Sequence, residues 1–342
     1  MLRAAALAIA AAAVLSAQPK YLTDHPGGWQ GYPPAKPKAP GLSADDRAGA
    51  IAAMTSILEG LRTAKTLGHP VGFEVVPYLN AELVDEDRRS ESKRPMWISE
   101  LIQLSLASYV QEGGRTLFDE RCSAGLIKIA VNDLVGTVGG SDLGNGNPGD
   151  VANWDSDEGQ LLIEVPAPDG ERHGFPVYGD WVMIAHDNLS PFAPASRELF
   201  LKTVIAVDDR MLARPAARRQ ATSDDPRLAA AYGLAVQGFA EVRKARDDTQ
   251  RMLDGMSPDD RRRPAYIDGR PSTHAVPRLL DSGDDGAMAV MRYNPALLDA
   301  AGPRFRPRVI AVSIQPGTDQ WPDMAGKLDQ EIDWPALAKL LR

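Results

Sequence analysis

Between residues 70 and 185 the hydrophobic period changes to two, and this change constrains the fold more than any other feature. "ELIQLSLASYV" sets Ile102, Leu104 and Leu106 against Gln103 and Ser105, and Glu-Gly-Gly follows as a turn. "GLIKIAVND" sets Ile127, Ile129 and Val131 against Lys128 and Ala130. "VGFEVVPYL", "QLLIEV" and the two arms of "HGFPVYGDWVMIAHD" add further candidate strands. Alternation of this kind marks strands with one buried face. Short turns between them predict antiparallel neighbours, here a meander.

Helical spacing flanks this region. In "LSADDRAGAIAAMTSILEGLRTAKTLG", Ser43 is the N-cap, with Asp46 three residues on. Ile51, Met54, Leu58 and Leu61 form one stripe, and Gly68 can close the helix. "PASRELFLKTVIAV" reads as a mostly buried helix capped by Ser196. Asp225-Pro226 opens a helix to about Asp254, and Ser257-Pro258 with Asp260 opens another. "AMAVMRYN" and "RVIAVSI" read as strands, and "DWPALAKLL" is a closing helix with Pro335 in its first turn.

Helices and strands are therefore segregated. The expectation is an α+β fold: an antiparallel meander sheet packed by a long N-terminal helix and further C-terminal helices. No GxGxxG follows a strand, so a dinucleotide-binding unit is not expected. The expected organisation is a signal peptide over 1–17, a Pro/Gly-rich linker over 18–42 and an α+β domain over 43–222. Residues 223–342, a helical segment plus two strands, either complete that domain or form a second subdomain.

The signal peptide rests on "MLRAAALAIAAAAVLSAQPK": Arg3, an apolar run from Ala4 to Val14, and small residues at Leu15-Ser16-Ala17. That run is shorter than the ~20 residues of a membrane span. The protein is thus expected to be periplasmic or secreted, with no transmembrane segment. Cys122 is the only cysteine, so an intramolecular disulfide is excluded. It reads as a structural thiol rather than a nucleophile. The net charge of −8 argues against a nucleic-acid partner.

Two regions could carry chemistry. In the first, a turn at Gly179-Asp180 pairs Tyr178 with Trp181, Val177 with Val182 and His173 with His186. The histidine Cβ atoms would then lie ~4.5–5.5 Å apart, a possible pair of zinc ligands. Pro176 complicates a two-residue turn, because it has no N–H for its place opposite Met183. A four-residue loop keeps the pairing, and a three-residue loop separates the histidines. The second region, "GTVGGSDLGNGNPGDVANWDSDEG", carries Asp142, Asp150, Asp155, Asp157 and Glu158 with no Lys or Arg. Its oxygen ligands suit calcium, but the EF-hand spacing is missing. A connecting loop is the simpler reading of this stretch, and a capping pair the simpler reading of the histidines.

No GxSxG or HExxH motif is present, and no SxxK occurs together with the companion motifs of the penicillin-binding class. The arginines at 214, 218, 219 and 261–263 read as solvated helix faces. Trp29, Trp154 and Trp181 are candidate surface aromatics. "GFPVYGDWVMIAHDNLSPFAPASRELFL" and "NPALLDAAGPRFRPRVIAVSI" resemble segments of exported bacterial proteins of unassigned function. The resemblance covers a small part of the chain and implies an envelope or secreted protein, with no activity or site residues attached. The expected function is non-catalytic binding of a small ligand or an envelope component. The alternative is a hydrolase of envelope or extracellular material, metal-assisted through His173 and His186.

Overall fold

A computed structural model describes residues 20–31, 43–83, 98–133, 137, 141–142, 155–156, 159–163, 165–213, 226–269, 275–298, 303 and 305–341. The expected signal peptide, and Asp150, Trp154, Asp157 and Glu158, lie outside the described residues. The first half of the chain forms β1 (Lys20–Tyr21), α1 (Ala44–Arg62), α2 (Lys65–Gly68), β2 (Phe73–Leu83), β3 (Ile98–Glu112), β4 (Arg115–Val131), β5 (Ser141–Asp142), β6 (Asp155–Ser156) and β7 (Gly159–Ile163). Then come β8 (Gly170–Arg172), β9 (Phe175–Tyr178), β10 (Trp181–Ala185), β11 (Phe192–Pro194), α3 (Arg197–Ala213), α4 (Pro226–Gly255) and α5 (Pro258–Arg262). The chain ends with β12 (Tyr266–Asp268), β13 (Leu279–Leu280), β14 (Ala287–Ala289), β15 (Met291–Tyr293), α6 (Pro295–Leu298), β16 (Val309–Pro316), α7 (Met324–Glu331) and α8 (Trp334–Lys339).

The fold is α+β with antiparallel sheets. The main sheet runs β1-β3-β4-β16-β10-β9-β8, and β2 shares the outer edge of β3 with β1. It is not one meander. β16 pairs with β4 on one side and β10 on the other, and so separates the meanders β2-β3-β4 and β8-β9-β10. The reason is burial: Ile127, Ile129, Val182 and Ile184 sit in one core and Ala130, Met183 and Ala185 in another, so β4 and β10 are interior strands. β16 thus completes the main sheet from the C-terminal part of the chain.

One face of the main sheet packs against α1, α7 and α8 through Phe73, Leu104, Ile129, Ile310 and Val312. Met54, Ile57, Leu58, Leu328 and Trp334 fill the helix side. The other face is covered over its β4–β16–β10 half by the second sheet, β11-β15-β7-β5 with β6 also on β7. The alternation of β7 links two cores: Leu162 faces the main sheet, while Leu161 and Ile163 join Phe200, Val204 and Val290. The small sheet β13-β12-β14 adds Ile267 to that second core.

Local rules account for most element ends. Ser43 and Ser257 cap α1 and α5 by accepting from the amides of Asp46 and Asp260. Ser196 accepts from Leu199 at the start of α3. The N-terminal helix is shorter than expected: α1 has 19 residues, whereas α4 has 30. The end of α1 is marked by Ala64, whose backbone is extended (ψ 129°), and Glu331 accepts from the amide and hydroxyl of Thr66 at 2.6 and 3.0 Å in the first turn of α2.

The stretch that reads as a linker is partly a strap on the sheet edge. Gly72 N–H donates to His25 O, Val75 N–H to Gly28 O and Gln30 N–H to Val75 O. The N–H and C=O of Val75 thus point outward, and by the two-residue period so do those of position 77. Pro77 is therefore placed where its missing N–H costs no bond to β3, and it blunts the edge beyond the strap.

Candidate functional site

The expected register at Gly179-Asp180 is present: Trp181 pairs with Tyr178 and Val182 with Val177. Only Gly179 of the two turn residues has a positive φ, as a type II′ turn requires. The ladder ends there, at the point where Pro176 would have to donate to β10. Pro176 instead lies opposite Glu171 on β8.

His173 and His186 do not form a cross-strand pair. His173 (φ 55°) and Gly174 (φ 81°) make the tight turn between β8 and β9, so His173 leaves the ladder. Its Nε2 lies 3.0 Å from Asp329 Oδ2, and its ring stacks on buried Trp334 at 4.9 Å. His186 follows β10 in a 3-10 turn, with Nδ1 3.1 Å from Asp187 Oδ2. The zinc pair expected from the register is thus replaced by two separate His–Asp contacts. Among the described residues no group of three or more His, Cys, Asp or Glu is placed to hold a metal.

Two residues of the acidic stretch pair with one strand: Asp142 of β5 lies opposite Leu162 and Asp155 of β6 opposite Gln160, both on β7. The surface aromatic candidates have other roles. Trp29 is half-buried, donates Nε1–H to Leu67 O at 2.7 Å, and carries the Arg62 guanidinium 5.0 Å from its ring centre. Trp181 is half-buried against the core between the main and second sheets, beside Tyr178.

The exposed aromatic surface lies elsewhere, on the β2–β3 half of the main sheet away from α1. The turn Gly113-Gly114, both with positive φ, carries β3 and β4 out as a long hairpin. Its register places Phe118 opposite Tyr109, and their rings meet edge to face at 6.3 Å. His25 of the strap packs on the other side of Tyr109 at 4.2 Å. On the same face Tyr78 lies opposite Gln103 and Asn80 opposite Leu101. Tyr78, Leu101 and Phe118 are 46, 42 and 41% exposed. The Tyr78 hydroxyl donates to Glu120 at 2.7 Å, which raises its pKa.

Glu74 anchors this surface to the strap. Its buried carboxylate accepts from Gly28 N–H at 2.8 Å, Gln30 Nε2–H at 2.8 Å and the Tyr109 hydroxyl at 2.6 Å. Burial and the Glu74 bond push Tyr109 up to about 12. Tyr109 is therefore a fixed donor, and the row His25–Tyr109–Phe118 is held from beneath. A register signal for this row exists in the sequence: a two-residue Gly-Gly turn pairs Glu112 with Arg115 and so Tyr109 with Phe118. "RTLFDERCSA" hides it, because it lacks alternation and its residues Glu120–Cys122 bulge out of register opposite Ala107-Ser108.

Cys122 is half-buried, and burial, followed by the neighbouring Cys122 thiol, raises the pKa of Tyr21. No protein-family description, curated protein or solved structure matches the chain.

Proposed function

We propose that this is an exported, non-catalytic binding protein that engages an envelope or secreted component through the open face of β2–β4. The observation that carries this reading is the aromatic row His25–Tyr109–Phe118, held from beneath by Glu74, with Tyr78 and Leu101 exposed on the same face. Exposed apolar residues gathered on one face mark interaction surfaces, and Tyr and Phe are enriched there. The export segment and the resemblance to exported bacterial proteins support the compartment. No described helix is long and apolar enough to cross a membrane. The test is co-sedimentation of purified protein with fractionated envelope material. Wild type is expected to pellet with one fraction, and Tyr78→Ala/Phe118→Ala to lose at least ~90% of that binding, as loss of central aromatic anchors should cause. Equal pelleting of both proteins would sink the proposal.

A second reading, hydrolysis of envelope or extracellular material, draws support from one contact, the 3.0 Å approach of His173 Nε2 to Asp329. A carboxylate so placed orients an imidazole for general-base work. A broad hydrolase screen checks it, since His173→Ala should abolish any turnover found.

A further inference from the structure

We infer that the groove between the strap and the α1–α2 corner binds a small carboxylate with an apolar body. This site is separate from the aromatic face and does not depend on it. The groove is open to solvent, has a volume of about 350 Å³ and runs between strap residues Pro26–Trp29 and residues Arg62 and Gly68–Val71. That volume lies in the range of small-ligand sites.

Its walls are fixed. Gly27 N–H donates to Pro70 O at 3.0 Å, closing the strap onto the corner. A Cβ at position 27 would fall 1.9 Å from the Phe73 carbonyl oxygen, so only glycine lets the strap approach this closely. The Trp29 ring cannot swing while its Nε1–H is held by Leu67 O.

The chemistry of the lining selects the ligand. Arg62 lies over the Trp29 face and makes no ion pair among the described residues. Stacking holds a guanidinium in place and leaves its N–H edge free to take a carboxylate with two bonds. His69 lies in the lining too, and its ring has no hydrogen bond among the described residues. Pro26, Pro70 and the half-exposed Val71 supply an apolar wall. Asp24, also in the lining, opposes a second negative charge. The combination favours a monoanion with an apolar stem over inorganic phosphate.

The experiment is an NMR titration of the intact protein with phenylacetate, read at the Trp29 indole N–H and the Arg62 Nε–H. Both signals are expected to move saturably, with half-saturation at about 1 mM or below. Inorganic phosphate and benzyl alcohol at equal concentration and ionic strength should move neither to saturation. Arg62→Gln should weaken phenylacetate binding at least about tenfold at an otherwise unchanged spectrum, and Arg62→Lys less. An absence of saturation, equal binding by Arg62→Gln, or phosphate binding as tight as phenylacetate would each overturn the assignment.

Discussion

Glu100 carries a carboxyl that the fold has not paired. It is fully buried on the helix-covered face of β3, in register with Ile98 and Ile102, and neither oxygen has a hydrogen-bond partner in the structure described. Burial pushes its pKa from 4.5 up to about 9. The unfolded chain releases this proton near pH 4.5, whereas the folded chain keeps it to about pH 9. The folded state thus binds more protons in that window, and stability falls as pH rises through it. At pH 7 the loss is on the order of 3 kcal/mol. Asp208, buried on α3 and pushed up to about 7 by burial and by neighbouring Asp209, acts with the same sign from lower pH. Glu100→Gln is therefore expected to melt above wild type at pH 8, and thermal scans at pH 4 should show the gap closed. A gap independent of pH would remove Glu100 as its cause. Glu100 stands where alternation predicts a core residue, so its position on the buried face was legible in the sequence and its missing partner was not. The cap serines were fully legible, because a cap is decided within four residues. Tyr78 and Phe118 were not, because exposure depends on what packs over a face.

At the scale of elements, the hairpins show how turn chemistry sets register and where it misleads. Gly179-Asp180 fixed the pairing of β9 with β10 as the sequence implied. The histidine pairing failed because a second tight turn, His173-Gly174, immediately precedes β9. Histidine tolerates a positive φ better than most residues, yet nothing local announces that it will adopt one. The strap was missed for a related reason: its proline content suggests a spacer, and its bonds go to β2 and β3 rather than to neighbours in sequence. Gly72 is a second tight point of that contact. Its φ is +83°, and a Cβ there would meet the Trp321 ring at 2.4 Å and Thr23 O at 2.6 Å. Gly72→Ala is expected to cost more than about 2 kcal/mol in urea unfolding. It should also speed proteolysis within residues 20–31. Unchanged cleavage would mean that the strap holds without this contact.

At the scale of the whole molecule, the placement of β16 decides the architecture. A strand 178 residues after the end of β4 lies between β4 and β10, and no periodicity records a partner so far away. Residues 18–222 alone would expose the edges of two strands buried on both faces. That fragment is expected to be insoluble or to lack dispersed NMR signals, whereas residues 18–342 fold; a well-folded short fragment would contradict the central role of β16. The same layering leaves the open face: the second sheet covers the β4–β16–β10 half of the main sheet, and Tyr78, Leu101 and Phe118 remain exposed on the other half. Hydroxyl-radical footprinting tests the binding claim most directly, with and without the envelope fraction that captures the protein. Oxidation of Tyr78 and Phe118 is predicted to fall several-fold on binding, with His173 and Trp334 unchanged. Protection at His173 and Trp334, with Tyr78 and Phe118 still oxidised at the free rate, would contradict it.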